Sequence, residues 1–99
     1  MLKLKYKKLN SIFRTLPTDP KDYLGLCIKV FNTSYLIEYL YEIINVDLET
    51  NEFEYRYYEQ GSLVNTYSYS IQACIEYFYI CMNELGNNKL ISIQKIRSC

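Results

Sequence analysis

Residues 41–70 read Tyr-Glu-Ile-Ile-Asn-Val-Asp-Leu-Glu-Thr-Asn-Glu-Phe-Glu-Tyr-Arg-Tyr-Tyr-Glu-Gln-Gly-Ser-Leu-Val-Asn-Thr-Tyr-Ser-Tyr-Ser, and this stretch decides the fold. Apolar and polar residues alternate along it with a period of two, and it is rich in Tyr, Ile, Val, Phe and Thr, which favour strands. Two turn segments, Glu-Thr-Asn at 49–51 and Glu-Gln-Gly at 59–61, divide it into three parts. The stretch therefore predicts three consecutive antiparallel strands, a β-meander.

The register of the meander follows from which side of each strand is apolar, because a slip of one residue moves every side chain to the other face. A three-residue loop at 59–61, with Gly61 in the left-handed conformation, places Tyr58 opposite Ser62. A four-residue loop at 49–52 aligns the strand before it. Together these loops predict an apolar face of Ile44, Val46, Leu48, Phe53, Tyr55, Tyr57, Leu63 and Tyr67, and a wet face of Asp47, Glu54, Arg56, Tyr58, Thr66 and Ser68.

Residues 70–85 carry the clearest helical pattern in the chain. Ser70 is a good N-cap, and Gly86 stands where a left-handed residue ends many helices. Between them apolar residues recur at intervals of four and three, at Ile71, Ile75, Phe78, Met82 and Leu85. We expect this apolar stripe to pack across the apolar face of the meander.

The remaining segments complete one α+β domain over residues 1–99. Strands are predicted at 24–31 and 90–96, and a short edge strand at 2–6, where Lys alternates with apolar residues. Asn10 is a candidate cap for a short N-terminal helix that ends before Pro17. Residues 34–43 fit either a strand that runs into the meander, which we favour, or a short helix. The predicted architecture is an antiparallel sheet of four to six strands, packed on one face by the C-terminal helix at about 70–85.

The composition argues against an enzyme. The chain is 49% hydrophobic and 22% charged, as in a folded protein, and it contains no His. His is the commonest acid-base catalyst and metal ligand, and no Gly-rich phosphate-binding motif takes its place. We therefore expect no catalytic residue, no metal and no cofactor. The four Cys show no close pair of zinc-binding spacing, so we interpret them as buried small hydrophobes, with a disulfide from Cys27 to a helix Cys as the alternative.

The net charge is zero, but the charge is distributed unevenly. Residues 1–15 hold five basic residues and no acid, whereas the middle of the chain is acidic. No window is long and apolar enough to span a membrane, and no apolar signal segment follows the Lys-rich start, so we expect a cytoplasmic protein without membrane contact. The basic arm supports a nucleic-acid-binding hypothesis, with candidate contacts at Lys3, Lys5, Lys7, Lys8 and Arg14, and secondary ones at Arg56 and Tyr58.

The abundance of tyrosine favours a different function. The chain has twelve Tyr, whose rings can be buried while their hydroxyls stay wet, a property enriched at protein interfaces. The hypothesis that we prefer is a small non-catalytic module that engages another protein. Whether the chain also self-associates as a homodimer is left open by the sequence. The sequence does not indicate which residues form the interface.

From Met1-Leu-Lys-Leu-Lys-Tyr to Ile96-Arg-Ser-Cys99, the chain resembles the small proteins of filamentous archaeal viruses of lipothrixvirus or rudivirus type, which infect Acidianus and Sulfolobus. The resemblance implies a viral protein in the cytoplasm of a thermoacidophilic host, with high thermal stability. It transfers no functional residue. It also implies that intracellular disulfides are acceptable, because such hosts are an exception to the reducing-cytosol rule.

Overall fold

The computed structural model describes residues 16–95, in which five strands form one antiparallel sheet. The strands are β1 (Leu26–Asn32), β2 (Ile37–Asp47), β3 (Glu52–Glu59), β4 (Ser62–Ser70) and β5 (Asn88–Lys95). Their order in the sheet is β4-β3-β2-β1-β5, so β4 and β5 are the two edges. One α-helix, α1 (Ile71–Met82), follows β4 and packs on one face of the sheet. The predicted α+β fold is confirmed; within the segment 34–43, residues 37–43 lie in β2, whereas 34–36 form the turn before it.

The hydrophobic core lies between α1 and the sheet. Alternate residues of β1 point toward the helix, and three of them, Leu26, Ile28 and Val30, are fully buried. Ile28 pairs with Ile93 of β5, which is also fully buried. The sheet and helix complete this core with Ile43, Phe53, Ile71, Cys74, Phe78 and Cys81. Because this row of buried apolar side chains lies on one face of the sheet, α1 packs on that face.

The β1–β2 and β2–β3 hairpins use the same turn chemistry. The side-chain oxygen of Asn32 accepts hydrogen bonds from two backbone N–H groups of the turn that follows it, and Asp47 does the same. The hydrogen bonds that Asp47 accepts lower the pKa of its carboxyl, with the larger effect from the Thr50 N–H and the smaller from the Glu49 N–H. Polar side chains of this kind stabilise turns by replacing a backbone acceptor.

A β-bulge corrects the predicted register of β2. Ile44 is an extra residue in β2 relative to β3, which places Ile43 in the core and keeps Val46 on the apolar side. Leu48 lies exposed in a four-residue turn at 48–51. The loop has the predicted length but begins one residue earlier, and the predictions for Ile44 and Leu48 are wrong. A single extra residue interrupts the alternation without leaving a sequence signal.

The β3–β4 hairpin is tighter than predicted. Glu59 pairs with Ser62, so the loop contains two residues, Gln60 at φ 51° and Gly61 at φ 83°. Two positive φ values in succession are typical of a type I′ turn, whose twist matches that of the strands. The three-residue loop is therefore wrong, and Leu63 lies on the wet face. A bulge at Val64 then shifts the register, so that Tyr67 lies on the apolar face as predicted.

Helix α1 begins as predicted but ends earlier. The Ser70 hydroxyl accepts a hydrogen bond from the Ala73 N–H at 3.3 Å, which confirms the N-cap. The helix ends at Met82, and the left-handed residue after it is Glu84 rather than Gly86. Leu85 is consequently exposed, in contrast to its predicted place in the buried stripe.

The α1 stripe itself is largely confirmed. Ile71 and Phe78 are buried, and Ile75 and Met82 pack against the core from its margin. Cys74 and Cys81 are buried in the same face, as expected for small hydrophobic residues, and both are thiols. Cys27 is also a buried thiol, but it faces the opposite side of the sheet, so it makes no bridge to the helix.

Several N-terminal and C-terminal predictions lie outside the described residues. These are the edge strand at 2–6, all but the last residue of the helix after Asn10, the final residue of the last strand, and Cys99. Between residue 16 and β1 the helical structure is a 3-10 turn, Pro20–Tyr23, rather than an α-helix. Its Tyr23 ring is fully buried against Phe53, with ring centroids 5.2 Å apart.

The two-residue turn gives a test of the hairpin. Gly61→Ala should lower the free energy of unfolding by about 1 kcal/mol, because φ is positive there and an L-residue is strained in that conformation. No neighbouring atom lies within 4 Å of an added Cβ, so no steric clash adds to this cost. Gly86→Ala is the matched control, since its surroundings are equally open and its φ is not positive. Urea denaturation measures both variants. Equal effects at the two positions would contradict the assigned turn.

Candidate functional site

A layer of tyrosine rings covers the part of the α1 side of the sheet formed by β2, β3 and β4. The register places alternate residues of these strands on this side, and α1 adds one ring from above. We call the set the tyrosine layer; it consists of Tyr39, Tyr41, Tyr55, Tyr57, Tyr67, Tyr69 and Tyr77. The layer adjoins the aliphatic core, against which four of these rings pack.

Ring contacts run across the layer from the middle of the sheet to its edge. The Tyr41 and Tyr57 ring centroids are 5.2 Å apart, and those of Tyr57 and Tyr67 are 6.2 Å apart. Tyr55 lies beside the same rings, 5.7 Å from Tyr41 and 5.9 Å from Tyr67. Tilted aromatic pairs at these distances are favourable beyond the area they bury. Ring contacts thereby join six of the seven tyrosines into one packed unit, with Tyr69 at its margin.

The hydroxyl groups of the layer act as neutral hydrogen-bonding groups. Tyr41 donates to the Tyr77 hydroxyl at 3.1 Å, which also accepts from Asn88 at 3.4 Å, and Tyr57 donates to Glu59 at 3.0 Å. Burial is the main cause that raises the pKa of the Tyr41, Tyr57 and Tyr77 phenols above the ordinary value. These three phenols consequently keep their protons to a higher pH than an exposed tyrosine does.

The thiol next to this layer is unreactive for the same reason. Burial raises the pKa of Cys74 to about 11, and the thiolate is the nucleophilic form of cysteine. Cys74 therefore serves as an apolar wall. Among residues 16–95, no group of three or more His, Cys, Asp or Glu side chains is arranged to hold a metal ion.

An apolar cleft of about 350 Å³ opens between α1 and the tyrosine layer. Its walls are Tyr41, Tyr55, Tyr69, Ala73, Cys74, Tyr77 and Phe78. The outer rings are accessible: Tyr67 is 42% exposed and Tyr69 is 58% exposed. Strands β2, β3 and β4 place no Lys or Arg on this side, because their single basic residue, Arg56, points to the other face. The cleft can accept an apolar side chain, with tyrosine hydroxyls nearby.

On the opposite face of the sheet, Arg56 and Lys29 each lie beside a carboxylate of β2. The Tyr58 hydroxyl donates to Glu42 at 2.9 Å, and the Arg56 guanidinium lies 3.6 Å from the same carboxylate. Lys29 forms an ion pair with Glu38 at 3.1 Å. The prediction that Arg56 and Tyr58 lie together on the wet face is confirmed, but a nucleic acid would have to compete with Glu42 for both of them.

The other candidate nucleic-acid contacts, Lys3, Lys5, Lys7, Lys8 and Arg14, lie outside the described residues. Residues 16–95 hold five Lys or Arg and all eleven Asp and Glu, a net charge of −6. This acidic body repels phosphates, since non-specific nucleic-acid affinity rises with the number of phosphates neutralised.

Sequence reasoning placed Tyr55, Tyr57 and Tyr67 on one face but did not recognise the layer. The period-two spacing of Tyr39 and Tyr41, and of Tyr67 and Tyr69, was an available signal. The contribution of Tyr77 had no comparable signal, because it depends on how α1 is rotated above the sheet.

No protein-family model matches the chain, and comparisons with curated proteins and with solved structures found no match. Within the part of the chain that the structure describes, no helix is both long and apolar enough to cross a membrane.

The hydrogen bond between the two central tyrosines should contribute to stability. Tyr41→Phe removes the donor to Tyr77 and should lower the free energy of unfolding by about 1 kcal/mol. Tyr35→Phe is the control, since Tyr35 is 75% exposed and outside the layer, and it should change stability by less than about 0.5 kcal/mol. Chemical denaturation of both variants decides the point, and an unchanged midpoint for Tyr41→Phe would count against the bond.

Proposed function

We propose that the chain is a small non-catalytic protein-binding module and that the tyrosine layer is its binding surface. The observation that carries the proposal is that the packed rings continue outward to the half-exposed Tyr67, and that the exposed Tyr69 forms a wall of the cleft beside them. Rings held by their neighbours lose little conformational freedom on binding, so more of the contact energy is retained. Tyrosine at such positions is typical of the residues that dominate interface energetics.

The partner has a definable chemistry. An apolar anchor side chain fits the 350 Å³ cleft, and polar groups around it can bond to the tyrosine hydroxyls. The net charge of −6 on residues 16–95 favours a partner with a neutral or basic rim. Following the resemblance to archaeal viral proteins, we propose a host or viral protein in the host cytoplasm as the partner, and a heat-stable module.

The test combines capture with a defined affinity measurement. The chain is used to capture proteins from extracts of infected thermoacidophilic archaeal cells, and each candidate is then purified and titrated. We expect micromolar or tighter binding that Tyr69→Ala weakens at least about fivefold, because truncation of an aromatic residue that lines the anchor cleft should cost more than about 1 kcal/mol. Tyr35 is exposed in the β1–β2 turn and its side chain is not part of the layer, so Tyr35→Ala should leave the affinity unchanged.

The rival function, nucleic-acid binding, is tested in the same series. DNA and RNA, single- and double-stranded, are titrated at two salt concentrations against the wild type and a variant with Lys3, Lys5, Lys7 and Lys8 changed to Ala. Nucleic-acid affinity that falls steeply with salt and vanishes in this variant would replace the proposal. Protein binding that is insensitive to Tyr69→Ala would also contradict it, since the surface would then lie elsewhere.

A further inference from the structure

Within residues 16–95, strand β4 is an edge of the sheet that no further strand covers. It pairs with β3 on one side, and residues 62–69 are all exposed. Its nine residues, Ser62–Ser70, include no charged residue and no Pro, which are the usual means of blocking strand addition. The other edge differs, because β5 carries Lys89 and Lys95. The Thr66 N–H donates to the Asn65 side-chain oxygen at 2.8 Å and must be released when a strand adds, and apart from that bond the backbone groups along the outer side of β4 are open to another strand.

The tyrosine layer ends at this edge. Its ring contacts pass from Tyr41 through Tyr57 to Tyr67, and β4 contributes the last ring in the row. Tyr67 is 42% exposed although its inner neighbours are packed on both sides. A strand that added to β4 and carried an aromatic residue at the same level would extend the row by one contact.

We propose that β4 pairs with β4 of a second copy, antiparallel, and joins two five-stranded sheets into one of ten strands. Pairing about a two-fold axis brings the same strand of two copies together, so that strand must be compatible with itself. β4 meets this requirement because it carries no charged residue that the second copy would repel. The same pairing places one tyrosine row against the other. The inference does not depend on the proposed function, since it concerns the strand edge and not the cleft.

The bulge at Val64 determines the register. Regular pairing with β3 runs from residue 65 to residue 70, so a symmetric pairing of residues 65–69 centres on Tyr67. Tyr67 then faces the second copy's Tyr67 on the α1 side. Thr66 faces the second copy's Ser68 on the other side, and the α1 faces of both copies lie on the same side of the extended sheet.

Charge placed on β4 tests the pairing. The variant Thr66→Lys with Ser68→Lys sets Lys against Lys across the two-fold axis, and the variant Thr66→Glu with Ser68→Glu sets Glu against Glu. The variants are matched within one copy, because position 66 pairs with Arg56 and position 68 with Glu54. Sedimentation equilibrium should give a wild-type dimer with a dissociation constant below about 100 μM, two monomeric variants, and a dimer in their equimolar mixture.

The control is Ile91→Lys, which places the same charge on the exposed bulge of the other edge strand and should leave the dimer intact. A monomeric wild type at about 1 mM would overturn the proposal. A dimer that survives the Lys variant, or a mixture that fails to reassociate, would also overturn it, because the contact would then not be β4 against β4.

Cysteine cross-linking tests the register and covers the case in which a charged variant fails to fold. In a Cys99→Ser background, a mixture of Thr66→Cys and Ser68→Cys should oxidise to a covalent dimer, whereas each variant alone should not. Directly opposed residues of an antiparallel pair lie within disulfide range. Ile91→Cys is the control and should form no covalent dimer under the same oxidation. Equal cross-linking at position 91, or none in the 66 and 68 mixture, would contradict the pairing.

Discussion

The contact between Tyr41 and α1 joins the two halves of the buried face. On one side the Tyr41 ring packs against Tyr77 and Phe78 of the helix, with centroids 5.7 Å and 5.6 Å away. On the other side it contacts the Tyr55 and Tyr57 rings of β3. The aliphatic core under the helix and the aromatic rows of the outer strands are thereby one continuous layer, and the outer strands gain order from a helix that only partly covers them.

The two faces of the sheet consequently have different chemistry. The α1 side combines an apolar core with neutral phenols, and strands β2, β3 and β4 place no basic residue on it. On the opposite side Arg56 and Tyr58 contact Glu42 and Lys29 contacts Glu38, while Glu54 adds a further negative charge. A surface of packed neutral rings is suited to recognition by contact area and hydrogen bonds, whereas a face on which Arg56 and Lys29 are already paired with carboxylates offers a phosphate little net attraction.

Much of this architecture could be predicted from local patterns. The turn residues and the alternation in 41–70 located three strands, and Ser70 marked the start of α1. Errors arose where one extra residue enters a strand, at Ile44 and Val64, because a bulge shifts the alternation without a compositional signal. The helix α1 ends early, at Met82, because Glu84 adopts the left-handed conformation that the sequence led us to expect at Gly86.

The binding surface was harder to predict than the fold. The sequence showed which tyrosines share a strand face, but the cleft also requires Ala73, Cys74 and Tyr77, whose positions depend on the packing of α1. A helix rotated by one residue would present other side chains to the same strands. The layer is therefore a tertiary property, and only contacts between distant segments, such as Tyr41 with Tyr77, define it.

The most direct test of a single packed tyrosine layer is the titration of its phenols. Burial is the main cause of the raised pKa of Tyr41, Tyr55, Tyr57 and Tyr77, and it raises the pKa of Tyr23 to about 12. An unfolded chain loses these protons near pH 10, so the stability that they contribute is complete below pH 10 and falls as the pH rises beyond it.

Tyrosinate absorbance, measured on the native chain and on the chain in denaturant, follows all twelve tyrosines. The predicted native curve lags behind the denatured one above about pH 10, and the remaining tyrosines ionise together as the circular dichroism of the fold is lost. Ionisation of all twelve near pH 10, with the fold intact and no difference between the two curves, would contradict the packed layer.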